Sequence, residues 1–281
     1  MKYTVENILG SFFRGEVRRY SLNEIPEILY RMKRGELSRE QLISIVSTRY
    51  QIAHFFEEML REMIRIIERG TFREGTWPLK PYAIEELRKA AAVNLSEELG
   101  EVKEYGGPHR EGREVFLTTL GVDYKKWKSV LGTYDNIGEI DPGARTFLLR
   151  MKWIISLGAV EAISALWYYE NRISLDHVHG DYHILLHAFE EKFPEFKKPG
   201  GKYQEGDALW HIYSHADHDE HHANLAKNAL KVIEGRGFWH ESIENGVHET
   251  MKATDYFWCE LSEKFLGRFF TKDHWSFAEA A

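Results

Sequence analysis

The chain is poor in several things that would place it elsewhere. It has one cysteine in 281 residues, Cys259, which excludes an intramolecular disulfide framework and fits a reducing cytoplasm. No run approaches the ~18 apolar residues of a membrane span, and the first residues, MKYTVENILGSFFRGEV, lack the apolar core of a signal peptide. A soluble cytoplasmic protein is expected, with no membrane partner. Positive charge is not in excess: the net charge is -7 and no basic stripe is interleaved with aromatics, so nucleic acid is not an expected partner. There are no convincing period-two strands and no repeat of 20–50 residues. Sheets, solenoids and disulfide scaffolds are thereby set aside.

What remains is helical periodicity. Hydrophobic residues make up 43% and charged residues 29%, ordinary for a globular chain, but aromatics reach 14%, enough for a bulky core or an apolar pocket. Residues 1–20 read as a lead-in without a clear period. A helix is plausible from Ser21 or Asn23, and Ser38 opens a long one that Gly70 stops, with Glu40 and Gln41 placed for a capping interaction. His54, Glu57 and Glu58 on that helix read as a solvated face. Pro78 and Pro81 mark a loop. Further helices are expected to Gly100, from about His109, across 144–174 as one long element, from Asp181, from His211 to Gly235, and over 243–270. Links are short. The fold class is all-α, a single domain over 1–281 with about seven helices: 1–20 lead-in, 40–235 core, 243–270 closing helix.

The chemistry concentrates in HIYSHADHDEHHAN, residues 211–224. His215, Asp219 and His222 are spaced i, i+4, i+7 and share one face of a helix. Imidazole and carboxylate suit iron, manganese or zinc. His211 and His218 lie near the same face. Matching carboxylates fall on apolar faces elsewhere: Glu98, with Glu97 as rival, and Glu170, with Glu161 as rival. A carboxylate so placed needs a partner, and a cation is the natural one. His109, past Pro108, can fold back toward Glu98. Six candidate metal ligands result: Glu98, His109, Glu170, His215, Asp219 and His222, a set suited to two divalent irons. The helix partners of His211 and His218 are not identifiable, so these two read as supporting or solvent-facing. His183 and His187, at i and i+4, form a rival pair, with His177 and His179 nearby. Trp167, Tyr168, Tyr169, Phe189, Trp210 and Tyr213 are pocket-wall candidates or plain core.

This pattern resembles the haem-oxygenase-like di-metal oxidases and oxygenases, relatives of thiaminase-like and pyrroloquinoline-quinone-synthase-like proteins. The resemblance rests on H-x3-D-x2-H at His215, Asp219 and His222; on Asn94 through Gly100 followed by His109, Phe116 and Leu120-Gly121; on Ala165-Leu166 with Glu170; and on Ser47-Thr48-Arg49-Tyr50. It spans about residues 40–235. It implies a haem-oxygenase-like bundle, two Fe(II) ions with an iron/manganese pair as the alternative, and molecular oxygen as co-substrate. The implied activity is oxidation of an amino acid or small carboxylate by N-oxygenation, desaturation, C–C cleavage or decarboxylation. One branch, that of the chlamydial death-domain-associating protein, makes p-aminobenzoate from its own tyrosine; this chain lacks a lysine soon after Glu170 that the branch carries. The Glu98-to-His109 turn is about one residue longer than the family's, which leaves Glu97 and Glu98 both open. A small-molecule substrate, an external electron donor and a homodimer are the expected partners. Two other readings stand beside it: a metal-independent cofactorless oxidase or thiaminase-like enzyme, for which no cysteine is suitably placed, and a non-enzymatic metal-binding or interaction protein.

Overall fold

A computed structural model of the chain describes residues 4–70, 79–101, 109–123, 134–175, 180–235 and 239–267, without the side chains of residues 135 and 217–219. Among the described residues there are eleven α-helices and no strand. They are α1 (Val5–Ser21), α2 (Glu27–Lys33), α3 (Arg39–His54), α4 (Phe56–Glu68), α5 (Pro81–Glu98), α6 (His109–Thr119), α7 (Pro142–Leu157), α8 (Ala159–Ser174), α9 (Asp181–Lys192), α10 (Trp210–Lys231) and α11 (Trp239–Leu266). The all-α class holds, and the buried apolar side chains form one continuous cluster. No helix among the described residues is long and apolar enough to cross a membrane.

The helix number exceeds the expected seven for three physical reasons. Residues 5–21 are helical rather than an unpatterned lead-in: Thr4 caps α1 by accepting the Asn7 amide at 3.2 Å. The long helix expected from Ser38 to Gly70 is cut at Phe55, whose amide bonds the Ile52 carbonyl three residues back, a 3-10 turn that lets Phe55 and Phe56 both point inward. The helix expected across 144–174 is cut at Gly158, where the backbone leaves helical geometry (φ 157°, ψ 173°). Pro81 is not a loop breaker but the first residue of α5, where its missing N–H costs nothing. At Ser38 the capping box is complete: the Ser38 hydroxyl accepts from Gln41 N (3.2 Å) and Gln41 Oε1 accepts from the Ser38 N–H (2.9 Å).

At the centre lies α8, of whose sixteen residues all but Asn171 are buried; it packs against α10 on one side and α11 on another. α5 joins the α8–α10 pair, and α6 packs against α10, α5 and α3. Gly246 of α11 permits a close approach to α8. A Cβ there would lie 2.6 Å from the Glu161 carbonyl oxygen and 2.8 Å from Ser164 Cβ of α8. Because both obstacles belong to a rigid helix, Gly246→Ala should destabilise the fold by about 1–3 kcal/mol through overpacking, despite alanine's better helix propensity. A chemical-denaturation midpoint equal to or above wild type would contradict this contact.

Candidate metal centre

The last turn of α5 delivers two adjacent carboxylates, both buried, Glu97 at 3% and Glu98 at 2% exposure. They face different neighbours. Glu98 Oε1 meets His109 Nδ1 at 2.9 Å, and its Oε2 accepts from Arg113 Nη1 at 3.0 Å. His109 opens α6, and Arg113 follows one turn later on the same face, so α6 alone supplies both partners. His215 of α10 stacks edge-on to His109 with ring centroids 4.6 Å apart. Glu98, His109 and His215 thus bring one ligand atom each to within 4.8 Å of one another. Glu97 instead forms a hydrogen bond with His222 Nε2, and His222 Nδ1 lies 3.7 Å from Glu170 Oε2.

Five of the six candidates are therefore gathered in two adjoining groups, Glu98–His109–His215 and Glu170–His222. The side chain of the sixth, Asp219, lies outside those described, as does that of His218. Glu97 and Glu98 face different groups, Glu98 that of His109 and His215 and Glu97 that of His222. Glu161 sits in the first turn of α8, nine residues before Glu170 and so roughly 13 Å along the helix. His187 is exposed, and among the described residues neither it nor His183 joins a cluster of three donors. His177 and His179 lie outside the described residues.

His211 is a correction to the solvent-facing alternative. It is buried, its Nδ1 lies 2.8 Å from the Tyr50 hydroxyl, and its ring packs 4.6 Å from His215. His54 is likewise buried rather than solvated, and Glu57 reaches to 3.9 Å from Arg113. Arg113 and Tyr50 were not among the candidates. The i, i+4 spacing of Arg113 from His109 is the available signal for the first; for the second it is the Ser47–Tyr50 segment of the resemblance, which does not name His211 as its partner.

A small cavity of about 10 Å³, room for one water-sized group, is bordered by Glu98, Glu170, His211 and His215, with Ala53, Phe56, Tyr169 and Tyr182 as its less polar wall. Beside it Arg49 is buried, donates to the Tyr169 hydroxyl at 2.6 Å, lies over the Tyr169 and Tyr182 rings, and has an Nη1 without a hydrogen-bond partner among the described residues. Of the other proposed wall residues, Trp210 borders an outer cleft and Trp167 a separate cavity of about 450 Å³ under α1. Tyr168 bonds Glu16, while Phe189 and Tyr213 pack against other rings.

Burial alone would raise the Glu98 carboxyl, but His109 and Arg113 outweigh it and hold the group well below the usual carboxylate range. Burial, reinforced by His215 and Arg113, pushes His211 well below the usual histidine value and keeps it uncharged at neutral pH.

Fold and centre together define a class: an all-helical protein with carboxylates and imidazoles converging inside the bundle. No protein-family model matches the chain, and no curated protein does. A solved structure does: a CADD-like protein of unknown function from Nostoc punctiforme PCC 73102, with a TM-score of 0.66 at 13% identity, covering 92% of this chain and 97% of that one. The chain thus shares the all-helical fold of that protein.

Because the folded Glu98 value lies below the unfolded one, its contribution to stability is complete above the ordinary carboxylate range and is lost as pH falls through and below it. Chelator-treated protein should therefore lose urea resistance from about pH 5 downward, and Glu98→Gln, costing about 3 kcal/mol at neutral pH by leaving Arg113 short of its partner, should flatten that loss. Parallel pH profiles for the two proteins would remove Glu98 as its source.

Proposed function

We propose that the protein is a non-haem di-iron, oxygen-dependent oxidoreductase acting on an amino acid or small carboxylate. The convergence of Glu98, His109 and His215 carries this reading. Mixed imidazole and carboxylate donors are what divalent iron and manganese take, and the chain offers them twice, so the residues fit the pair. Glu98, His109 and His215 would hold one metal; Glu170 and His222, with Asp219 and the adjacent Glu97, would hold the other. When bound, the pair would supply the activation of dioxygen.

The chain's own residues do the rest. Arg113 fixes one oxygen of Glu98 and so sets the carboxylate's orientation, a role that outer partners commonly play for metal ligands. Tyr50 fixes the His211 ring against His215. Phe56, Ala53, Tyr169 and Ile173 give the space beside Glu170 its apolar wall. Arg49 supports a carboxylate-bearing substrate: its buried guanidinium donates to the Tyr169 phenol, lies over two rings and feels the Asp181 carboxylate, and its Nη1, open among the described residues, would take an anionic group.

Anaerobic ferrous loading followed by metal analysis should give about two irons per chain, and His215→Ala should lose at least one of them. Exposing the loaded protein to oxygen with a panel of amino acids and fatty acids should then show substrate-triggered oxygen uptake. A wild-type chain that holds no iron, or a His215→Ala variant that loads and reacts like wild type, rules the reading out.

A further inference from the structure

A cleft of about 140 Å³ opens on the α6–α10 side of the centre, bordered by His109, Glu111, Gly112, Trp210, His211 and the 205–207 turn. Two of its wall residues belong to the interior. His109 is a member of the Glu98–His109–His215 cluster, and His211 also borders the small inner cavity that Glu98, Glu170 and His215 line. The two spaces are therefore separated by the His109 and His211 rings, 6.1 Å apart between centroids.

The outer rim is acidic. Glu111 and Glu205 are exposed, and among the described residues neither forms an ion pair. Asp207, by contrast, is matched by Lys198 at 2.6 Å and adds little net charge. An acidic rim alone says nothing about a ligand, but a second feature points the same way. His211 is 3% exposed, its Nδ1 is held by Tyr50, and among the described residues its Nε2 has no hydrogen-bond partner. A buried imidazole nitrogen left open between an acidic mouth and a cluster of metal donors is a cation-binding step. Gly112 preserves the space: a Cβ there would stand 3.3 Å from His211 Cδ2, so anything larger would press on the ring.

We propose that this cleft is the route by which a divalent metal reaches the centre, with Glu111 and Glu205 drawing the cation in and His211 passing it across the wall to His109 and His215. The inference rests on the metal reading above and adds to it the path and the residues that govern uptake.

The test is the rate of metal uptake by the full-length, chelator-stripped protein, read anaerobically by stopped flow from the absorption of cobalt(II) as it is coordinated. The double variant Glu111→Lys/Glu205→Lys should load about tenfold more slowly at low ionic strength, with the final absorbance unchanged, because it alters approach and not the ligands. The gap should close as salt screens the rim. Gly112→Val should slow loading at every salt concentration, since its effect is steric. Glu24→Lys/Glu40→Lys, at two exposed positions that do not border the cleft, changes the net charge by the same amount; it serves as the charge control and should load like wild type. If wild type takes up cobalt and the rim and Gly112 variants load at its rate, the route is wrong and the centre stands. A charge control slowed as much as the rim variant also overturns it, by making the effect one of net charge. If wild type takes up no cobalt, both readings fall.

Discussion

Ionised groups removed from water must find compensation within the protein, and much of this molecule is arranged around that demand. Glu97, Glu98 and Glu170 are each at most 3% exposed, and three imidazoles and a guanidinium from α6 and α10 surround them. The desolvation of a single carboxylate would cost several kcal/mol, so the positions of α5, α6, α8 and α10 are coupled: none can shift without leaving a charge unmatched. The centre is thus also a structural joint.

A second buried network works to the same rule without converging on open donors. Arg172 of α8 contacts Asp255 of α11 at 2.7 Å and Asp181 of α9 at 3.3 Å, while Tyr168 donates to Glu16 of α1 at 3.1 Å. Arg19 bridges Glu16 and Asp255, and Trp258 donates to Asp181 at 2.8 Å. Every charge here has a matched neighbour, and the result is adhesion: α1 is held onto α8, α9 and α11. The two networks differ in composition. One is balanced by arginine, whose charge is permanent; the other leans on histidine, whose nitrogens can exchange a proton for a metal.

Legibility in the sequence followed the range of the interactions. The α10 ladder was readable because i, i+4, i+7 spacing is a local property, and Glu170 because a charge amid ISALWYYE contradicts its surroundings. The all-α class followed from periodicity alone. Glu97 and Glu98 looked like alternatives because adjacent residues on a helix point about 100° apart and one face was assumed to matter. At the end of α5 two different helices approach, and each takes one carboxylate. α1 shows no clear period because its buried face includes Glu16 and Tyr20, whose buried partners Tyr168 and Asp181 lie more than 150 residues away. His211 is hidden in the same way, its partner Tyr50 being 161 residues distant. Breaks at Phe55 and Gly158 come from packing that no window of sequence contains.

The contact between Arg113 and Glu98 bears on how this scaffold can change over time. A donor group that already contains its own resident cation is in part electrically balanced without a metal, so if the centre takes metal as proposed, folding and metal acquisition would be separable events. Lineages could then gain, exchange or lose a metal by altering ligands one at a time while the bundle persists. The same architecture is in that sense open to both metal-dependent and metal-free chemistry, with the guanidinium as the part that keeps the transition survivable.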